Sequence, residues 1–382
     1  MVRAALDAAR SIEPQTIADQ IRFCEQPAPP FQEAARGELL RQAFQQLGLR
    51  NVRVDSAGNV IGDRAGSAAR PRLVLSAHLD TVFPEGTDVK VRREGTVLRG
   101  PGIGDDCRGL AVLVATIRAL GQANIQTPGT VTFVATVGEE GLGDLRGVKQ
   151  LFKDVPAGID RFVSIDGTGV GITNVGVGSR RYRVTFKGPG GHSFSAFGLA
   201  NPIGAMGRAI AKIAELEVPK DPKTTFTIGR VGGGTSVNAI PSESWMEVDL
   251  RSADPASLAS LDARFQKAVD GAVLEENARW GTPRMISVTK DRVGDRPAGA
   301  TPADSAIVRT AIGVQRALGL PVTLSESSTD ANLAMSLRIP AITIGSGGRG
   351  AAVHAVTESF DTTDAWRGTE RAVLLTIALA QR

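Results

Sequence analysis

The apolar positions of this chain change period several times, and each change marks an element. Over 33–47 they recur at helical spacing and Gly48 closes the run, within a 1–50 stretch that reads as helical. Leu73-Val74-Leu75-Ser76-Ala77 is a strand pattern. Residues 109–120 form a strongly apolar helix ending at Gly121, 131–137 is rich in β-formers, and 161–165 predicts a further strand. Short apolar strands alternating with helices predict an α/β sheet covered on both faces.

Near Ser179 the texture changes. Residues 181–187 alternate with period two, as a half-exposed strand does. A helix over 201–216, alternating strands at 224–230 and 244–250, a helix over 255–275 and a strand at 285–290 follow. That order predicts a small sheet with two helices on one face. A helix over 303–318, a buried strand at 341–344 and a last helix over 363–381 return to the first texture. The expected organisation is an α/β domain in two pieces, 1–178 and 292–382, with an α+β domain of 179–291 inserted between them.

Composition narrows the classes. A chain of 382 residues is long enough for two cores. Lys and Arg number 44 against 40 Asp and Glu, a net charge of +4 with no basic run, so no nucleic-acid partner is expected. No run approaches the ~20 apolar residues of a membrane span, so no membrane partner is expected either. Residues 1–10 carry charges where a signal peptide would be apolar, and two cysteines make no disulfide framework. A cytoplasmic location is the expectation.

Only three histidines occur. His78 lies in Ser76-Ala77-His78-Leu79-Asp80-Thr81, His192 in Gly190-Gly191-His192-Ser193, and His354 in Val353-His354-Ala355-Val356-Thr357-Glu358. Imidazole kept beside Gly, Ser and carboxylates points to metal or acid–base work; three unrelated structural histidines are the alternative. Asp80, two residues past His78 on an extended chain, is placed to orient it. Residues 100–104 are glycine-rich and deliver Asp105 and Asp106 to the start of the apolar helix. Glu139-Glu140 and Asp166 each follow a predicted strand. Taken singly these features have bland readings: a solvated face for the glutamates, a helix cap for Asp105-Asp106, a turn for Asp166, packing for Cys107. The glycine loop lacks the Lys-Ser/Thr ending of a phosphate cradle. Converging beyond strand ends, where open α/β sheets bind ligands, the set predicts a cation site. Oxygen ligands with imidazole suit zinc, with cobalt or manganese as alternatives.

In motif order and spacing, over nearly its whole length, the chain resembles the co-catalytic di-zinc exopeptidases, the family of peptidase T, bacterial glutamate carboxypeptidase, aminoacylase and succinyl-diaminopimelate desuccinylase. The resemblance implies a zinc-exopeptidase-like α/β/α sandwich split by a ferredoxin-like lid and dimerisation domain. It implies two metal ions bridged by Asp105, with His78 and Asp166 on one and Glu140 and His354 on the other. Glu139 would be the general base, beside Asp80. His192 would meet the substrate from the partner subunit of a homodimer, Asn238 would assist, and Arg251 would take a substrate carboxylate. The glycines of 345–350, Gly347 among them, would line the pocket with backbone donors; a mobile surface loop is the other reading. Cys107 stands where relatives often carry lysine. Asp166, where some deacylases use Glu, leans the likeness toward peptidase T and glutamate carboxypeptidase. The expected activity is metal-dependent hydrolysis of an amide bond in a small peptide or N-acyl amino acid. Exopeptidase is the first reading and N-acyl-amino-acid deacylase the alternative. A metal-binding module without catalysis and a nucleotide-binding enzyme using 100–104 are the readings from other classes.

Overall fold

The strands that read as apolar throughout are the centre of one sheet. In the computed structural model, which describes residues 1–154, 158–281 and 285–381, Arg72–His78 lies parallel to both Thr130–Thr136 and Arg161–Ile165. Ala341–Ile344 lies parallel to Arg161–Ile165 on its other side. The sheet extends antiparallel through Val60–Arg64 to Arg50–Val54. At the other end it runs through Ile172–Gly176, which pairs with Leu324–Ser327 and Gly299–Ala300.

Alternation along these strands supplies two cores, one per face. Leu73, Leu75, Val131 and Phe133 pack with Ala9, Phe44, Leu113, Val308 and Val373, which come from five helices: Val2–Ser11, Ala34–Gln46, Cys107–Gln122, Ala306–Ala317 and Trp366–Leu379. Val74, Val134 and Phe162 pack on the opposite face with Val148 and Leu151 of Arg146–Asp154 and with Ala334 and Met335 of Ala331–Ser336. A smaller antiparallel sheet of Arg92–Glu94, Val97–Arg99, Ser359–Asp361 and Arg349–Ala351 stands beside it. Leu98 and Phe360 turn its inner face into a cluster with Ile17, Cys24, Ile103 and Cys107.

The chain divides into two compact units, Met1–Gly176 with Gly299–Arg382, and Val177–Ala298. The second has the order strand, helix, strand, strand, helix, strand: Gly178–Lys187, Pro202–Ala214, Thr224–Gly233, Glu243–Ser252, Pro255–Arg279 and Ser287–Arg296, with a two-residue bridge strand at Ala239–Ile240. Thr224–Gly233 and Ser287–Arg296 are the outer strands of its antiparallel four-stranded sheet. Tyr182, Val184, Phe186, Met246, Val248 and Leu250 bury one face against Ala209, Ile213, Leu261 and Phe265 of the two helices. The whole is an α/β architecture with an inserted α+β, ferredoxin-like unit. Its last strand runs to Arg296, six residues beyond the 290 read from the alternation. Charged and polar residues at 291–296 hide a strand that is mostly solvent-facing.

Candidate metal centre

Three neighbouring parallel strands end together, and the residues just past their ends form the centre. His78 closes Arg72–His78 and is paired in register with Thr136. Glu139 and Glu140 follow Thr130–Thr136, and Asp166 follows Arg161–Ile165, its N–H donating to Ile344 O at 3.0 Å. Parallel pairing puts all three carboxyl ends on one edge of the sheet, the edge that binds ligands in open α/β sheets.

Asp105 arrives from the glycine-rich loop and His354 from the turn before Ser359–Asp361. Asp105 Oδ1 is 3.0 Å from His78 Nε2, and Asp105 Oδ2 is 3.2 Å from His354 Nε2. His354 Nε2 is also 2.9 Å from Glu140 Oε1, and His78 Nε2 is 4.0 Å from Asp166 Oδ1. One carboxylate thus joins two groups, His78–Asp105–Asp166 and Asp105–Glu140–His354, each with its ligand atoms within 4.8 Å of one another. A third such group, His78–Glu139–Glu140, brings the Glu139 carboxylate to the same place.

The electrostatics follow from this crowding. Hydrogen bonds to Asp105 and Glu140 push the His354 imidazole up to about 10. Burial pulls His78 down, but its bonds to Asp105 and Asp80 outweigh it and the ring lies well above its usual value. Burial and then the Asp105 charge raise Asp166 to about 7. Burial also acts to raise Asp105, yet its bonds from both histidines hold it below the carboxylate range. The carboxylates call for positive charge, which a divalent cation supplies. His78 Nδ1 is 3.0 Å from Asp80 O, so Nδ1–H donates there, and Nε2, 3.0 Å from Asp105 Oδ1, is the nitrogen that would give up its proton to take an ion. The donor set, imidazole nitrogens with carboxylate oxygens, fits two divalent ions.

Asp80 orients His78 mainly through its main-chain carbonyl; its carboxylate oxygen is farther, at 3.6 Å from Nδ1. The carboxylate itself accepts from Glu139 N at 3.0 Å and Glu140 N at 2.8 Å, fixing the glutamate pair. Asp106, not Asp105, caps the apolar helix: Oδ1 accepts from Gly109 N at 3.1 Å while Oδ2 accepts from His78 N at 3.0 Å. A Cβ at Gly109 would lie 2.0 Å from that capping oxygen, which accounts for the glycine.

Two positioning residues escape the sequence reading. Glu358 is buried, and its carboxylate accepts from Gly102 N, Gly104 N and Asp105 N at 3.0, 2.8 and 3.1 Å. Its place four residues past His354 was the one signal available. Arg36, fully buried, donates to Leu79 O at 2.7 Å and steadies the segment between His78 and Asp80; nothing local marks it.

Gly347 follows the strand Ala341–Ile344. It is buried at φ +85°, its N–H and C=O both pair with Gly169, and a Cβ would lie 2.4 Å from Ala365 O. Its polar groups are therefore engaged within the fold.

His192, Asn238 and Arg251 belong to the inserted unit. Gly191–His192 pairs with Ala239–Ile240, His192 opposite Ala239, so the histidine and asparagine loops are neighbours. His192 is exposed, and its Nδ1 accepts from Phe194 N and Ser195 N at 3.2 and 3.4 Å, which leaves Nε2 to carry the proton of the neutral ring. Asn238 Oδ1 accepts from Ser236 Oγ at 2.6 Å. Arg251 Nε donates to Asp249 Oδ2 at 2.6 Å.

Residues 74–377 match the model of peptidase family M20/M25/M40. Carboxypeptidase G2 of Pseudomonas sp. (strain RS-16) is 28% identical over 249 residues, 61% of this chain and 59% of that protein. Succinyl-diaminopimelate desuccinylase of Corynebacterium glutamicum is 27% identical over 238 residues, 60% of this chain and 64% of that one. The matched region thus spans less than two thirds of either relative. Among solved structures, aminopeptidase PepT from Bacillus cereus superposes with a TM-score of 0.77 at 22% identity, over 97% of this chain and 99% of that one. A dinuclear metal-binding peptidase from Bacillus subtilis superposes at 0.71 with 18% identity, again over 97% and 99%. With a family model matched over most of its length, the chain belongs to peptidase family M20/M25/M40.

Proposed function

We propose that this protein is a metal-dependent hydrolase that cleaves the amide bond of a small peptide or N-acyl amino acid, acting first as an exopeptidase. The observation that carries the reading is the shared carboxylate: the two oxygens of Asp105 lie 3.0 and 3.2 Å from two different imidazoles. His78 and Asp166 would hold one ion, Glu140 and His354 the other, and Asp105 both. Zinc is the proposed metal, in a cytoplasmic enzyme. Two divalent ions in such a site supply Lewis acidity toward water and the amide carbonyl.

The chain's own groups would do the rest. Glu139 takes the proton of the attacking water and returns it to the leaving amine. Its N–H bond to Asp80 and its nearness to His78 and Glu140 support that role. The Nε2–H of His192 is suited to donate to the developing oxyanion, a contribution of about 2.7–4 kcal/mol for donors of this kind. Arg251 keeps its terminal nitrogens for a substrate carboxylate, since the bond to Asp249 uses Nε. Asn238 keeps its amide NH₂ as a donor, because Ser236 occupies the oxygen. A homodimer through the inserted unit is part of the proposal, supported by the outer strand Thr224–Gly233 with its exposed Val231.

The test combines metal content with rate. Glu139→Ala should keep both metals and lose roughly 10²–10⁴-fold in kcat; wild-type turnover by that variant would sink the proposed base. A panel of dipeptides, tripeptides and N-acyl amino acids ranked by kcat/KM separates exopeptidase from deacylase.

A further inference from the structure

The strand that delivers the glutamate pair ends at Thr136, and the turn beyond it is held from outside. Val137 N donates to Asn59 Oδ1 at 3.0 Å, and Gly147 N donates to Val137 O at 2.9 Å. Gly138 comes next, at φ +66°, and leads straight into Glu139. The side chain of Arg146 lies directly against it: a Cβ on Gly138 would come 2.7 Å from Arg146 Cγ and 3.0 Å from its Nε. Glu139 thus has two anchors, Arg146 against the residue before it and the Asp80 carboxylate on its own N–H.

Arg146 is itself clamped. One terminal nitrogen is 2.6 Å from each carboxylate oxygen of Glu33, and the other donates to Ala57 O at 2.8 Å. The guanidinium carbon lies 5.0 Å from the centre of the Phe31 ring, within cation–π range. Glu33 is 3% exposed, and Arg146 is its one cationic partner among the described residues. Burial raises the Glu33 carboxyl above its ordinary value, and the charge of Asp80 adds to the rise. Two buried carboxylates therefore repel, and one of them holds the glutamate pair. Arg146 offsets that repulsion at the Glu33 end. Desolvation cancels much of what a buried ion pair gains in stability, so the pair matters more for where it puts the turn than for how firmly it holds the fold.

We propose that Arg146, clamped by Glu33, is a positioning residue for Glu139: it sets Gly138, and through Gly138 the place of the carboxylate that takes the proton from water. This role rests on the reading of Glu139 as the base. A displacement of about 1 Å in a reacting group can cost roughly 10²-fold in rate, so loosening the turn should act on kcat rather than on substrate binding.

The test is kinetics of metal-loaded Arg146→Met and Arg146→Lys, with metal content measured beside them, in the wild-type and Glu139→Ala backgrounds. Arg146→Met should keep both metals, lose roughly 10–10²-fold in kcat and hold KM within about twofold. Arg146→Lys keeps the charge toward Glu33 and should recover part of the loss. Added to Glu139→Ala, Arg146→Met should cost nothing further, because the group it positions is gone. Should Arg146→Met fail to fold, the double variant Glu33→Gln with Arg146→Met leaves no unpaired buried charge and should show the same fall in kcat. A folded Arg146→Met protein with wild-type kcat would overturn the role, as would an equal fall in the Glu139→Ala background or loss of metal in step with rate. Wild-type turnover by Glu139→Ala itself would instead remove the base, and this role with it.

Discussion

Replacing Glu358 by alanine should damage both stability and metal retention. The carboxylate takes three main-chain N–H groups from the loop that ends in Asp105. Hydrogen bonds to charged groups are worth about 1.5–3 kcal/mol each, so a plain sum would be roughly 5–9 kcal/mol. The sum overstates the loss, because burial raises this carboxyl to about 7 and its ionised form is costly to keep. The three amides also share one acceptor group, and such effects do not add. Removing one partner of a buried charged network costs about 3–5 kcal/mol, which in a unit of this size corresponds to a fall in Tm of roughly 6–20 °C. The Gln variant keeps one acceptor oxygen and should lose about half as much. Thermal unfolding beside metal content after dialysis reads both effects: Asp105 should no longer be held, and the metals should leave first. A Glu358→Ala protein that melts within about 1 °C of wild type and keeps both metals would refute the argument.

Other expectations follow from the same geometry. His192→Ala should lower kcat by roughly 10²–10³-fold with metal content unchanged, whereas His78→Ala or His354→Ala should lose metal; metal loss in the His192 variant would contradict the assignment. Metal binding should release protons at pH 7, since His354 titrates near 10, Asp166 near 7 and His78 above its usual value. Raised values mean protons compete with metal, so affinity should climb from pH 6 to 8, and calorimetry in buffers of different ionisation heat should count about two protons; none released would refute it. Cys24 and Cys107 are both fully buried, so thiol reagents should label them only after unfolding, and fast labelling of native protein would contradict their packing.

Much of the molecule can be read without its coordinates. Arg161–Ile165 and Ala341–Ile344 have the bounds that their apolar runs predict, because strands covered on both faces need no alternation to announce themselves. Arg50–Val54 and Leu324–Ser327 do not announce themselves, being mostly exposed edge strands whose residues look like loop. The site shows the same division. His78, Glu139, Glu140 and Asp166 stand directly after predicted strands, where periodicity can locate them.

What sequence alone determined was local: periods, helix ends, and the residue types that suit a cation. Tertiary structure decided the rest. It gave the helix cap to Asp106 and the glutamate pair to the carboxylate of Asp80. It turned Gly347 inward against Gly169, and it brought Glu358 to Gly104 across 254 residues of chain. The physical reason is range. Propensity and capping act over a few neighbouring residues, whereas a buried carboxylate is satisfied by whichever amides the fold delivers to it.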